Sequence, residues 1–205
     1  MRHVPRSPYA QVLGDRLEDL HPQLQQYFSA LPEGRIGVGE GVFRSVGTPR
    51  RWLRPFLRPL HQRGVVYAGW QQHVPFRVTN RLVAGRVLSE REFLLAGGSW
   101  TMRDAVSLRA HGRLVDELGE PGVVAASFDV RVRDGALSMA SRAVGVRWGR
   151  LRIRLPRLLA PAVRLTERFD DSTARQQVSV TIDVPVIGRV YEYSGDFTYR
   201  IEEEP

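Results

Sequence analysis

Val178, Val180, Ile182 and Val184 alternate with Ser179, Thr181 and Asp183 until Pro185 ends the run. After Gly188 the chain resumes through Val190, Tyr191, Glu192, Tyr193, Ser194, Gly195, Asp196, Phe197, Thr198 and Tyr199. A repeat of two is that of a strand, whose successive side chains point to opposite faces. Two such runs on either side of a short Pro–Gly connection predict an antiparallel hairpin with one apolar face, its strands near 175–184 and 189–200.

The same pattern recurs upstream. Val124, Ala126, Phe128, Val130 and Val132 alternate up to Asp134-Gly135, a hairpin turn signal, and Leu137 and Met139 begin the return strand. Val87 to Leu95 and Trp100 to Leu108 read as another hairpin, joined through Gly97-Gly98-Ser99. Arg35 to Gly47 reads as a first strand, with Gly37, Gly39 and Gly41 marking close backbone approaches. Val65, Tyr67, Phe76, Val78 and Leu82 suggest short strands around a polar turn at Gln71-Gln72. Leu151, Ile153 and Leu155 face away from Arg150, Arg152 and Arg154, as in a half-buried strand. Three-and-four spacing predicts helices over Tyr9–Leu20, stopped around His21-Pro22, and Arg50–Leu60, interrupted or bent by Pro55 and Pro59. Leu24, Tyr27, Phe28 and Leu31 continue the pattern for a further turn or two before Pro32.

Eight to ten antiparallel strands with one apolar face must bury it, by curling or by packing on a second layer. The expected fold is therefore mostly β: an antiparallel β-barrel or strongly curved sheet with N-terminal helical cover. Pro5 and Pro8 make residues 1–8 a flexible arm, and 9–205 form a single β-rich domain. A length of 205 residues suits one substantial core.

Composition excludes several chemistries. Without cysteine there are no disulfides, thiol nucleophiles or cysteine-ligated metals. All 30 basic residues are arginine, which excludes Schiff-base chemistry and the lysine of a phosphate-binding loop. The glycines 37, 39 and 41 precede strand-like sequence, whereas a dinucleotide fingerprint opens a helix. No apolar run is long enough for a transmembrane helix, and the basic N-terminus lacks the apolar stretch of a signal peptide, so a cytoplasmic location is expected.

Three sets of residues are candidates for function. First, Trp70, Trp100, Tyr191 and Tyr193 could line a cavity inside the barrel for a small apolar or amphipathic molecule. Gly195, between aromatics of one parity, either relieves crowding or opens room for that ligand. Second, Arg147, Arg150, Arg152 and Arg154, with Trp148 among them, could bind nucleic acid or an anionic membrane surface, or form a solvated face. Third, Glu92, His111 and Asp116 could converge as a carboxylate–histidine cleft for hydrolysis or isomerisation, while Glu90 shares a face with Glu92. The five histidines form no metal-ligand spacing, so no metal or other cofactor is expected.

An order of short signatures gives a further expectation. It runs through Leu20-His21-Pro22-Gln23-Leu24, Gly39-Glu40-Gly41-Val42-Phe43, Trp52 to Leu60, the Trp100 strand, and Gly112-Arg113-Leu114-Val115-Asp116-Glu117. It continues through Asp134-Gly135-Ala136-Leu137, Leu159-Ala160-Pro161, Glu167, and Asp183-Val184-Pro185-Val186-Ile187-Gly188 up to Tyr193-Ser194-Gly195. In this the chain resembles the bacterial domain-of-unknown-function family numbered 4166, from about residue 9 to 200. The resemblance implies no activity and no catalytic residues. Trp100-Thr101-Met102 departs from it, since relatives look more basic after the tryptophan.

Overall fold

The computed structural model describes residues 6–110, 112–148, 151–155 and 160–204. The chain opens with α1 (Pro8–Leu13), whose N-cap Ser7 accepts from the Ala10 amide, a 3-10 turn (Gly14–Leu17), and α2 (Pro22–Phe28). The single helix expected over Tyr9–Leu20 is thus broken, at Gly14 with its φ of 56°. Strand β1 (Arg35–Gly47) leads to a 3-10 turn (Arg51–Leu53) that runs into α3 (Arg54–Gln62). Pro55 falls in the first turn of α3, where a missing N–H costs nothing, and Pro59 lies inside the helix.

Ten more strands follow. They are β2 (Trp70–Val83), β3 (Arg86–Leu95), β4 (Gly98–Arg109), β5 (Arg113–Leu118), β6 (Val124–Arg133), β7 (Ala136–Trp148), β8 (Leu151–Arg154), β9 (Ala162–Asp170), β10 (Arg175–Val184) and β11 (Gly188–Glu203). All pair antiparallel, β1 to β7 each with its sequence neighbour. The chain then returns through β9, β10 and β11, and β11 pairs with β1. The result is a closed ten-strand antiparallel barrel with a few N-terminal helices.

Local chemistry accounts for the turns. Asp134 and Gly135 have φ values of 51° and 73°, the two positive values a type I′ hairpin requires. Ala84-Gly85 joins β2 to β3 with the same pair of signs, at 48° and 74°. Around Gln71-Gln72 the expected turn is absent, because β2 continues through it against β1. Strand β8 also differs from expectation. Along its far half β7 pairs with β6 on one side and β8 on the other, while β9 takes over at Leu137–Ala140. So β8 hangs outside the ring, and Leu151 and Ile153 are exposed instead of buried.

The ends of the barrel are closed differently. At one end, the His21 amide donates to the Gly135 carbonyl oxygen and Leu20, Leu24 and Phe28 pack with Leu114, Phe128 and Leu137. At the other, the segment 53–66 folds over Phe43, Phe93 and Tyr191, with Leu53, Val65 and Val66 buried. Val178 and Val180 are buried in the wall between them, whereas Ile182 is only half-buried. Ile182→Ala should accordingly cost about 2 kcal/mol, the low end for such truncations, measured by urea denaturation.

Candidate functional site

Between its two caps the barrel encloses a chamber of about 340 Å³. Tyr9, Tyr27 and Phe28 reach it from the N-terminal cap, and Leu57, Leu60, Val65 and Val66 from the α3 cap. Most of the wall is aliphatic or aromatic, as inward-facing strand positions of a barrel should be. Three carboxyl groups and one guanidinium interrupt it: Asp104, Asp116, Glu167 and Arg91.

These charges sit where strand parity puts them. Arg91 lies between Ser89 and Phe93 on the inner face of β3, and Asp104 between Met102 and Val106 on β4. The register sets Ser89 opposite Asp104 and Met102 opposite Arg91, so Arg91 and Asp104 are diagonal neighbours. The Arg91 guanidinium donates to Asp104 Oδ1, and the Ser89 hydroxyl bonds to the same carboxylate. Burial raises the Asp104 pKa, and these two partners oppose that rise. On β5, Asp116 has no such support: its Oδ1 is buried without a hydrogen-bond partner among the described residues. Burial first, and the nearby Asp104 charge second, push the Asp116 carboxyl well above the usual carboxylate range.

Across the chamber, Glu167 on β9 is 4% exposed and its carboxylate accepts from Gln176 Nε2 on β10. Burial pushes its pKa up to about 7. Tyr193 and Tyr191, on the inner face of β11, are buried and held protonated, chiefly by burial. The Tyr67 amide donates to the Tyr191 hydroxyl at 3.5 Å, and Tyr199 is pushed up to about 12. Asn80, 4% exposed, adds to the wall a second acceptor oxygen without a partner among the described residues.

A family profile described as domain of unknown function (DUF4166) matches residues 20–197. The chain belongs to this family. No curated protein and no solved structure matches it. The signatures of this DUF4166 member fall on structural joints as well as on the chamber: Asp134-Gly135 makes a hairpin and receives the His21 amide, while Glu167 and Asp116 line the interior.

Of the residues singled out by sequence for a ligand, Tyr191 and Tyr193 line the chamber. Trp70, Trp100 and Gly195 do not. Trp100 closes the α3 end instead, stacked on His61 with centroids 5.3 Å apart and donating its indole N–H to the His61 carbonyl oxygen at 3.0 Å. Trp70 begins β2 opposite Gly47. Gly195 serves close approach: a Cβ there would lie 2.3 Å from the Val42 carbonyl oxygen, beside the irregularity between Phe43 and Ser45.

Glu92 projects from the outer face of β3 and Asp116 from the inner face of β5, so the two do not meet, and His111 lies outside the described residues. Glu90 is also outside the barrel, 2.8 Å from Arg103. In the basic run, Arg147 and Arg154 are exposed on β7 and β8, while Arg150 and the Arg152 side chain fall outside the described residues. Arg147 Nη1 donates to the Pro121 carbonyl oxygen at 3.2 Å. Among the described residues no group of three or more metal-ligating side chains converges, and no helix is long and apolar enough to cross a membrane.

Sequence reasoning missed Arg91, Asp104 and Glu167. The signal was present: each is an ionisable residue at the parity of its strand's apolar residues.

Proposed function

We propose that the barrel binds a small amphipathic molecule, its apolar part against the aliphatic and aromatic wall and a hydrogen-bond-donating head on Asp116. The observation that carries this reading is the chamber of about 340 Å³ whose wall holds a buried carboxyl oxygen with no partner among the described residues. An unsatisfied buried acceptor costs free energy in an empty site, and a ligand donor recovers it. With Asp104 already engaged by Arg91, Asp116 Oδ1 and Asn80 Oδ1 are oxygens of the wall left without a partner among the described residues, and each can accept from a ligand head. A ligand carboxylate would bring a fourth acid to a wall with one arginine.

Calorimetric titration of the full chain with octanol and octanoate tests this. Saturable binding of octanol, tighter than that of octanoate, is expected. Asp116→Ala should weaken octanol about tenfold, the effect of one well-made hydrogen bond to a buried group. Ile182→Trp, which fills the chamber from its wall, should abolish binding while circular dichroism shows an intact barrel. Absence of saturable binding to the folded parent, or unchanged binding by folded Ile182→Trp, would overturn the reading.

A further inference from the structure

The outer side of the α3 cap carries residues that neither the barrel nor its chamber uses. From Gly41 to Ser89 the sequence contains no aspartate or glutamate. Within that stretch Leu53 is buried and Leu57 and Leu60 face the chamber. On the other side of the same turn and helix, Trp52 is 54% exposed and Phe56 72% exposed. Their rings lie 6.5 Å apart at 78°, one turn after the other. Exposed Arg51, Arg58 and Arg63 flank them, and among the described residues no carboxylate pairs with any of the three. Several arginines elsewhere on the barrel are matched: Arg77 and Arg200 hold Glu40, Arg175 holds Asp196, and Arg189 holds Asp183.

We propose that this face docks the protein on an anionic phospholipid bilayer, with Trp52 and Phe56 entering the headgroup–acyl boundary and Arg51, Arg58 and Arg63 contacting lipid phosphates. Two large apolar side chains exposed side by side have no folded-state partner, and burying them in lipid supplies one. The unpaired arginines complement an anionic surface, and the chain's net charge of +8 adds long-range attraction. A bilayer fits better than nucleic acid, because the perpendicular rings offer no flat platform on which successive bases could stack. The proposal is independent of what fills the chamber.

Co-sedimentation of the full chain with vesicles tests it. Binding is expected to equal-part phosphatidylcholine–phosphatidylglycerol vesicles, with little to pure phosphatidylcholine, and to fall as salt is added. Trp52→Ala with Phe56→Ala should reduce partitioning about tenfold or more, and Arg51→Gln with Arg58→Gln should reduce it and flatten its salt dependence. Both aromatic side chains are exposed, so thermal unfolding of the first double variant should match the parent. No sedimentation at low salt, equal binding to both vesicle types, or full binding by the aromatic double variant would each overturn the proposal. So would binding of duplex DNA or single-stranded RNA in preference to the anionic vesicles.

Discussion

Gly41→Ala is expected to leave little folded protein. A Cβ at this position would lie 2.0 Å from the Asp196 carbonyl oxygen and 2.7 Å from the Phe197 Cα. Those are backbone atoms of β11, the strand against which β1 closes the ring, and they cannot rotate away. Overpacking that side chains can absorb costs about 1–3 kcal/mol, and this substitution should exceed that range. Gly97→Ala is the control, since a Cβ there meets nothing within 4 Å and no change beyond about 0.5 kcal/mol is expected. Urea denaturation monitored by circular dichroism compares the two. Parent-like stability of Gly41→Ala would mean that β1 and β11 do not close in this register.

The glycines explain how so many aromatics fit. In the β1–β11 register, Gly39 lies opposite Tyr199 and Gly41 opposite Phe197. A Cβ on Gly37 would fall on the Tyr199 ring, and one on Gly39 within 3.0 Å of the Phe197 ring. Side chains are omitted from one strand so that rings from its neighbour can lie across it. The odd-numbered glycines mark this in the sequence as close approaches. What they approach was not legible, because β1 and β11 are at opposite ends of the chain. Closure of the ring was hidden for the same reason: local alternation gives strands and hairpins, not the pairing of first with last.

Alternation did carry the last hairpin. Arg175–Val184 and Gly188–Glu203 are the observed strands, against 175–184 and 189–200 expected. It failed where a strand has no ring to belong to. Leu151 and Ile153 have the pattern of a half-buried strand, yet among the described residues β8 pairs with β7 alone. The candidate site was legible only in part, since Tyr191 and Tyr193 follow apolar parity but so does Trp100, which ends in a cap. The ionisable lining escaped because a charge on an apolar face reads as an interruption of the pattern. Here Arg91 and Asp104 meet diagonally across two strands, a relation that exists only once the β3–β4 register is fixed.

Glu167→Gln is expected to stabilise the protein at neutral and alkaline pH and to make no difference in acid. Glu167 is held between β9 and β10 by its bond from Gln176, with Tyr27, Tyr193, Tyr199 and Arg91 as the other ionisable groups that feel it across the chamber. Burial raises its pKa from 4.5 to about 7. The folded chain therefore keeps a proton that the unfolded chain releases between those values, and stability falls as pH rises through the window. Above pH of about 7 the full cost applies, on the order of 3 kcal/mol for a shift of this size. Glutamine has the same shape, still offers an oxygen to Gln176 and never ionises, so it removes the cost without opening a cavity. Denaturation midpoints of parent and variant should coincide near pH 4 and separate steadily up to about pH 7–8, the variant being the more stable. A gap that does not change with pH, or a parent that gains on the variant as pH rises, would show that Glu167 ionises freely in the folded barrel and that its burial between the two strands has been wrongly assigned.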